Sequence, residues 1–250
     1  MTAIEAIILF VSAFFAGIAN SIAGGGSFLT FPALVFAGVP IIAANATSAL
    51  AVFPGYLSGA LGFMKELKTY PKSQFSLLIF ISALGGVLGS LLLLRTPTTL
   101  FSFVIPWLLG FATVMFAFGN LISKWAKNTT GKTSIKGNLA TLFVCIYGGY
   151  FNGGLGIVLL ALFSTLGMRD INLMNGLKNG MSFALSFASV ITFGLAGIIY
   201  WPQAILMMVG ATIGGYCGAI VARKLSAKVI KTVIVAIGSI MTFIFYLMSN

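Results

Sequence analysis

Asn20-Ser21-Ile22-Ala23-Gly24-Gly25-Gly26-Ser27 interrupts an apolar run that extends from Ile4 to Val39. Each glycine costs a helix about 1 kcal/mol relative to alanine, so three in a row predict a break. In lipid, a broken helix leaves backbone N–H and C=O groups unpaired. Such a break persists only where protein or a water-filled cavity covers it. A second break of the same kind, Asn152-Gly153-Gly154-Leu155-Gly156, lies in the other half of the chain. Paired interruptions at corresponding places in two halves point to a binding site at the level of the bilayer midplane.

Working outward, the first apolar segment runs from Ile4 to Ala23, and a short one follows from Phe28 to Ala37. A full span is predicted over Ile42–Phe63, then a polar loop from Lys65 to Lys72, then spans over Phe75–Leu94 and Phe101–Ile122. After the polar stretch Ser123–Lys136 the plan repeats. Leu139–Phe151 is apolar, Ile157–Leu166 is short, and Ile171–Ile199, Ala204–Val221 and Val229–Met248 are long enough to cross a membrane. The repetition holds register. Asn20 matches Asn152, Asn45 matches Asn175, Tyr70-Pro71 matches Trp201-Pro202, and Gly85–Gly89 matches Gly214–Gly218, all about 130 residues apart. The last pair of glycine clusters falls inside spans, where small residues allow close helix packing. Residues 1–122 are therefore expected to form a first transmembrane repeat, 123–137 a basic cytoplasmic linker, and 138–250 a second repeat.

Composition sets the class. Of the 250 residues, 59% are hydrophobic and only 7% charged, against about 25% charged in soluble domains. The chain reads as a polytopic membrane protein. The net charge of +11 comes from 14 basic residues against three acids, and 11 of the 14 fall in three clusters. These are Lys65/Lys68/Lys72, Lys124/Lys127/Lys132/Lys136 and Arg223/Lys224/Lys228/Lys231. Placing all three in the cytoplasm requires an even number of crossings between successive clusters. Leu139–Leu166 must then return to its own side as a re-entrant hairpin, and by duplication so must Ile4–Ala37. Each half becomes one broken or re-entrant hairpin plus three transmembrane helices. The fold expected is all-α, with two inverted repeats and both termini outside. The alternative is eight full spans in a parallel repeat, which places a basic loop on each side. The N-terminus lacks the basic segment of a signal peptide, so the first apolar run is expected to be retained.

The residue types bound the chemistry. There is no histidine. Glu5, Glu66 and Asp170 fall at predicted interfaces, so no span carries a carboxylate for a proton relay. Cys145 and Cys217 lie in apolar runs without metal-ligand spacing. Neither an enzyme active site nor a bound metal or cofactor is expected. No segment supplies a water-exposed basic face for nucleic acid. Two hairpin tips entering from opposite faces would meet near the midplane, each pointing a helix N-terminus inward. Helix N-termini offer free N–H donors and about half a positive charge. The candidate substrate-binding residues are Asn20, Gly24, Gly25, Gly26, Ser27, Asn45, Thr47, Ser48, Asn152, Gly153, Gly154, Asn175, Lys178 and Asn179, around a small anion. Lys178 is the one basic residue within a span. It is either a fixed counter-charge for the anion or a lysine that snorkels to the interface. Expected partners are the small anionic substrate and the lipid bilayer, with a homodimer allowed. An anion channel on the same scaffold and a membrane thiol relay through Cys145 and Cys217 are the alternative functions.

At these residues the chain resembles the TauE/SafE family of sulfite and organosulfonate exporters. In the first half the likeness rests on Gly17, Ala23-Gly24-Gly25-Gly26-Ser27, Phe31-Pro32-Ala33-Leu34 and Ala44-Asn45-Ala46-Thr47-Ser48. In the second it rests on Gly148 to Gly156, Asn175 with Lys178-Asn179, Gly197-Ile198-Ile199-Tyr200-Trp201-Pro202 and Gly214-Gly215-Tyr216-Cys217-Gly218-Ala219. The resemblance implies a multi-pass permease of the cell inner membrane for small sulfur-containing anions, such as sulfite or C2 sulfonates. Leu155, set within the second glycine-rich turn, departs from the pattern and is expected to reshape that tip.

Overall fold

Both apolar runs break where their glycines stand. In the computed structural model, which describes residues 1–22, 25–125, 135–221 and 227–249, helix α1 (Ala3–Ile22) stops before the glycine triplet and α2 (Ser27–Phe36) starts after it. In the second half, α7 (Ile135–Tyr150) stops before Asn152 and α8 (Leu155–Thr165) starts after Gly154. The remaining helices are α3 (Ile41–Gly62), α4 (Met64–Thr69), α5 (Lys72–Arg95), α6 (Thr98–Trp125), α9 (Ile171–Leu195), α10 (Trp201–Val221) and α11 (Ala227–Ser249). The described residues contain no strand, and the protein is an all-α polytopic membrane protein. Ala3–Asn20, Ile41–Gly62, Lys72–Arg95 and Thr98–Met115 are each long and apolar enough to cross a membrane. At 25 residues, α9 measures about 37 Å, also enough to cross, although polar residues along one face lower its hydropathy. Gly24, residues 126–134 of the central basic stretch, and Arg223 and Lys224 lie outside the described residues.

One sequence expectation needs correcting. Lys65–Thr69 is not a loop but part of the short helix α4. Its lysines, glutamate and leucine are good helix formers, and Leu67 is buried where it packs against Gly176 of α9.

The three acids are used at helix starts and interfaces. Thr2 and Glu5 form a reciprocal capping box at α1: the Thr2 N–H donates to Glu5 Oε2 (2.8 Å) and the Glu5 N–H to Thr2 Oγ1 (3.2 Å). Asp170 caps α9 by accepting from the N–H groups of Asn172 and Leu173 (2.9 and 3.2 Å). Glu66 sits in the first turn of α4. Large apolar side chains instead face outward at helical spacing: Ile4, Ile7, Val11 and Phe15 on α1, and Phe80, Leu84, Leu88 and Leu91 on α5. That polarity, apolar outside and small or polar inside, suits a lipid solvent.

Packing pairs obey an exchange rule. If α1, α2, α3, α5 and α6 are swapped with α7, α8, α9, α10 and α11, each main contact maps onto another. Thus α1 packs on α10 and α7 on α5; α3 packs on α10 and α9 on α5; α2 packs on α11 and α8 on α6. The tightest seams are lined by the glycine clusters. A Cβ on Gly214 would run into the Phe14 carbonyl of α1, and one on Gly89 would meet the backbone of α7 at Ile146, Gly149 and Tyr150. These glycines let backbones touch, as the sequence predicts.

Individual contacts also give the helix directions. Gly59 faces Asn179 and Phe53 stacks on Phe183 and Phe187, so α3 and α9 run antiparallel. Gly110 faces Thr242 and Gly238 faces Thr113, so α6 and α11 do too. Along α1 and α10, Phe10 meets Gly210, Phe14 meets Gly214, and Gly17 meets Ala211 and Gly215, a parallel pair. The α5–α7 seam is parallel in the same way, with Gly85 against Cys145 and Gly89 against Tyr150. The Tyr200 N–H, at the start of α10, donates to Thr47 Oγ1 near the start of α3 (3.1 Å).

Candidate functional site

The glycine-rich turns come together. Gly154 takes the left-handed conformation (φ +72°) that turns α7 into α8, a backbone state open to glycine at little cost. A Cβ there would meet Ala112 and the ring of Phe28, which is in the first turn of α2. Helix starts from both halves are therefore neighbours.

Each turn is held by its own side chains. In the first, the Gly26 N–H donates to Asn20 Oδ1 (3.1 Å). The amides of Phe28 and Leu29 close onto the carbonyls of Gly25 and Gly26 (3.2 and 3.0 Å). In the second, the Tyr147 hydroxyl donates to the Gly153 carbonyl (2.6 Å), and the amides of Ile157 and Val158 bond to the Gly154 carbonyl (3.0 and 3.2 Å). Leu155, the departure from the family pattern, begins α8 and is fully buried, lying where a Cβ of Gly148 would stand.

Tyr56 ties the two turns together. It is buried on α3, its hydroxyl donates to Asn152 Oδ1 (3.4 Å), and it also interacts with Asn20 and Ser27. Accepting that bond fixes the Asn152 amide, so its Nδ2 is the atom left to donate. That Nδ2 is buried and has no hydrogen-bond partner among the described residues. Tyr56 is absent from the residues picked out by sequence. The signal was present, since Asn45, Ser48, Val52 and Tyr56 follow one face of α3 at helical spacing.

The other predicted residues fall into two groups. Asn45 donates to the Tyr150 carbonyl (3.0 Å) and so satisfies a carbonyl at the end of α7. Thr47 closes the start of α10, and Ser48 shares a 2.6 Å hydrogen bond with Thr30 of α2. These three are engaged in joining helices. On α9, Lys178 is buried at 3% exposure and donates to Asn175 Oδ1 (3.1 Å), and no carboxylate pairs with it among the described residues. Asn179 is buried against Gly59. Asn175, Lys178, Asn179, Ser182 and Ser186 form a single polar face of α9, and the Ser182 and Ser186 hydroxyls are buried without partners among the described residues. Those serines were also missed by sequence.

The thiols sit apart. Cys145 is buried on α7, with its Sγ 3.6 Å from Ser82 Oγ, while Cys217 lies on α10. A cavity of about 350 Å³ between α6 and α11, lined by Pro106, Trp107, Gly110, Thr113 and Phe243, includes none of the predicted residues.

The family model described as "Sulfite exporter TauE/SafE" matches residues 9–245. The chain belongs to the TauE/SafE family. A Haemophilus influenzae protein named "Probable membrane transporter protein" is 29% identical to this TauE/SafE chain over 94% of it and 92% of its own length. A Sinorhizobium protein, "Probable membrane transporter protein ORF9", is 27% identical over 92% of this chain and 87% of its own. "Probable membrane transporter protein YfcA" of Escherichia coli K12 is 25% identical over 94% and 87%. No solved structure matches the chain. This TauE/SafE member is thus a multi-pass membrane protein whose relatives carry transporter names.

Proposed function

We propose that this protein carries a small sulfur-containing anion, such as sulfite or a C2 sulfonate, outward across the inner membrane. The site lies between the two glycine-rich turns. The observation that carries this reading is the Asn152 amide: Tyr56 occupies its oxygen and its buried NH2 is left as a donor beside two helix starts. A donor there suits an anion and opposes a cation. Lys178, buried and without a carboxylate, supplies the positive charge. The starts of α2 and α8 add their dipoles. Outward movement needs little further drive, since an inside-negative potential contributes about 2.3 kcal/mol per charge per 100 mV.

The helix directions support the reading of two inverted repeats. Gly180 of α9 faces Phe75 of α5 and Gly86 faces Leu185, a parallel pair, so α1, α3 and α10 point one way and α5, α7 and α9 the other, and corresponding helices of the two halves oppose each other. Because α1 and α3 point the same way, α2 must run back between them, which favours a hairpin over an eight-span count. The same directions put the chain ends flanking all three basic clusters on one side, the arrangement the positive-inside rule favours.

The test is counterflow in proteoliposomes. Vesicles loaded with unlabelled sulfite should take up labelled sulfite transiently above equilibrium, with saturable rates. Flux that rises linearly and shows no counterflow assigns a channel, and the absence of any sulfur-anion flux removes the substrate assignment.

A further inference from the structure

We infer that Ser182 and Ser186 of α9 are anion-binding residues of the site between the turns, donating their hydroxyls to substrate oxygens alongside Asn152. This rests on the anion reading proposed above.

Elsewhere in the chain, buried hydroxyls on helices either bond to another helix, as Ser48 and Ser189 do, or turn back onto their own carbonyls. Ser82 bonds to the Leu78 carbonyl (2.7 Å), Thr113 to Leu109 (2.7 Å) and Thr141 to Gly137 (2.8 Å). That partner is always available to a helical serine. Ser182 and Ser186 are fully buried and do not use it. Two successive turns of α9 therefore hold hydroxyls away from the helix's own acceptors, in an interior where unpaired polar groups are costly.

Their position agrees. The antiparallel register of α3 and α9, fixed by Gly59 at Asn179 and by Phe53 at Phe183 and Phe187, sets Ser182 level with Tyr56 and Ser186 level with Val52. Tyr56 is the residue that holds Asn152. Ser182 also stands one helical turn beyond Lys178 on the same face. An amide, two hydroxyls and an ammonium so disposed suit an anion with several oxygens, each able to accept a hydrogen bond. The duplication sharpens the point. The α3 counterparts of Lys178, Ser182 and Ser186 are Ser48, Val52 and Tyr56. Ser48 is spent on Thr30, Val52 has no donor, and Tyr56 is spent on the turns. The free donors come from α9.

The experiment measures sulfite binding by calorimetry, and melting without ligand, for purified full-length wild type, Ser182→Ala, Ser186→Ala and Ser189→Ala. Ser189 donates to the Gly86 carbonyl (3.1 Å) and serves as the packing control. Ser182→Ala and Ser186→Ala should bind sulfite at least tenfold more weakly yet melt, without ligand, at or above the wild-type temperature, because each removes an unpaired buried hydroxyl. Ser189→Ala should bind like wild type. Wild-type affinity in both site variants overturns the inference and leaves the site between the turns standing. Weaker binding that merely follows a lowered melting temperature in both variants overturns it as well, because the serines would then be structural. A wild type that binds neither sulfite nor a sulfonate removes the underlying reading together with it.

Discussion

Replacing Tyr56 with phenylalanine isolates one contact between the two halves, the hydrogen bond to the second turn. The ring stays and no cavity opens, so the change is confined to one hydroxyl. Its removal leaves Asn152 Oδ1 without its donor at a buried position. At 3.4 Å the hydrogen bond is long, and interhelical hydrogen bonds in membrane proteins average only about 0.6 kcal/mol. Orphaning the buried acceptor costs more, about 1–3 kcal/mol. Tyr56→Phe should therefore destabilise by about 1–3 kcal/mol. In an Asn152→Ala background the orphan no longer exists and the cost should fall by about 1 kcal/mol, a coupling typical of side chains in contact. Equilibrium unfolding of all four proteins by SDS in mixed micelles, followed by tryptophan fluorescence, gives both numbers. A Tyr56→Phe cost below about 0.5 kcal/mol, or one unchanged by Asn152→Ala, refutes the claim that this hydroxyl ties the turns together.

Gly214→Ala should destabilise at the upper end of the roughly 1–3 kcal/mol overpacking range, since its Cβ meets the Phe14 carbonyl, a backbone atom that cannot rotate away. Gly55→Ala, with nothing within 4 Å of its Cβ, should be stabilising by up to about 1 kcal/mol; the same unfolding assay compares the two. Lys178→Met should weaken sulfite binding roughly 10- to 150-fold, the value of a hydrogen bond from a charged group, without lowering the melting temperature, because a buried ammonium lacking a carboxylate gives up little when removed. Single cysteines placed at the exposed positions Pro40 and Ala196 in a chain without Cys145 and Cys217 should label from one face of the membrane, and one at Glu66 from the other; Pro40 labelling from the Glu66 side would remove the hairpin.

Both breaks were legible because glycine runs in an apolar segment are strong local signals. The helices flanking them end within a few residues of where the sequence places them, and the glycine clusters of the spans line the α1–α10 and α5–α7 seams as expected. The α4 helix was hidden because its charges read as loop, while the burial of Leu67 against α9 depends on a contact remote in sequence. Tyr56, Tyr147, Ser182 and Ser186 were missed for a related reason. Single polar residues among apolar ones carry no local signature, and a hydroxyl's role depends on which atoms the fold puts beside it. The duplication likewise predicts that Asn20 and Asn152 are counterparts. It does not reveal that one bonds to its own turn while the other is held by Tyr56 with its NH2 left over.

That NH2 is the point to probe most directly. Asn152→Asp keeps the shape and the oxygen that accepts from Tyr56, but replaces the donor with a negative oxygen. Calorimetric titration of sulfite, sulfoacetate, sulfate and chloride into purified wild type and Asn152→Asp compares the two. A sulfur anion that binds the wild type and shows no detectable binding to the variant is the expected result. Equal binding by both proteins contradicts the placement of the site between the turns.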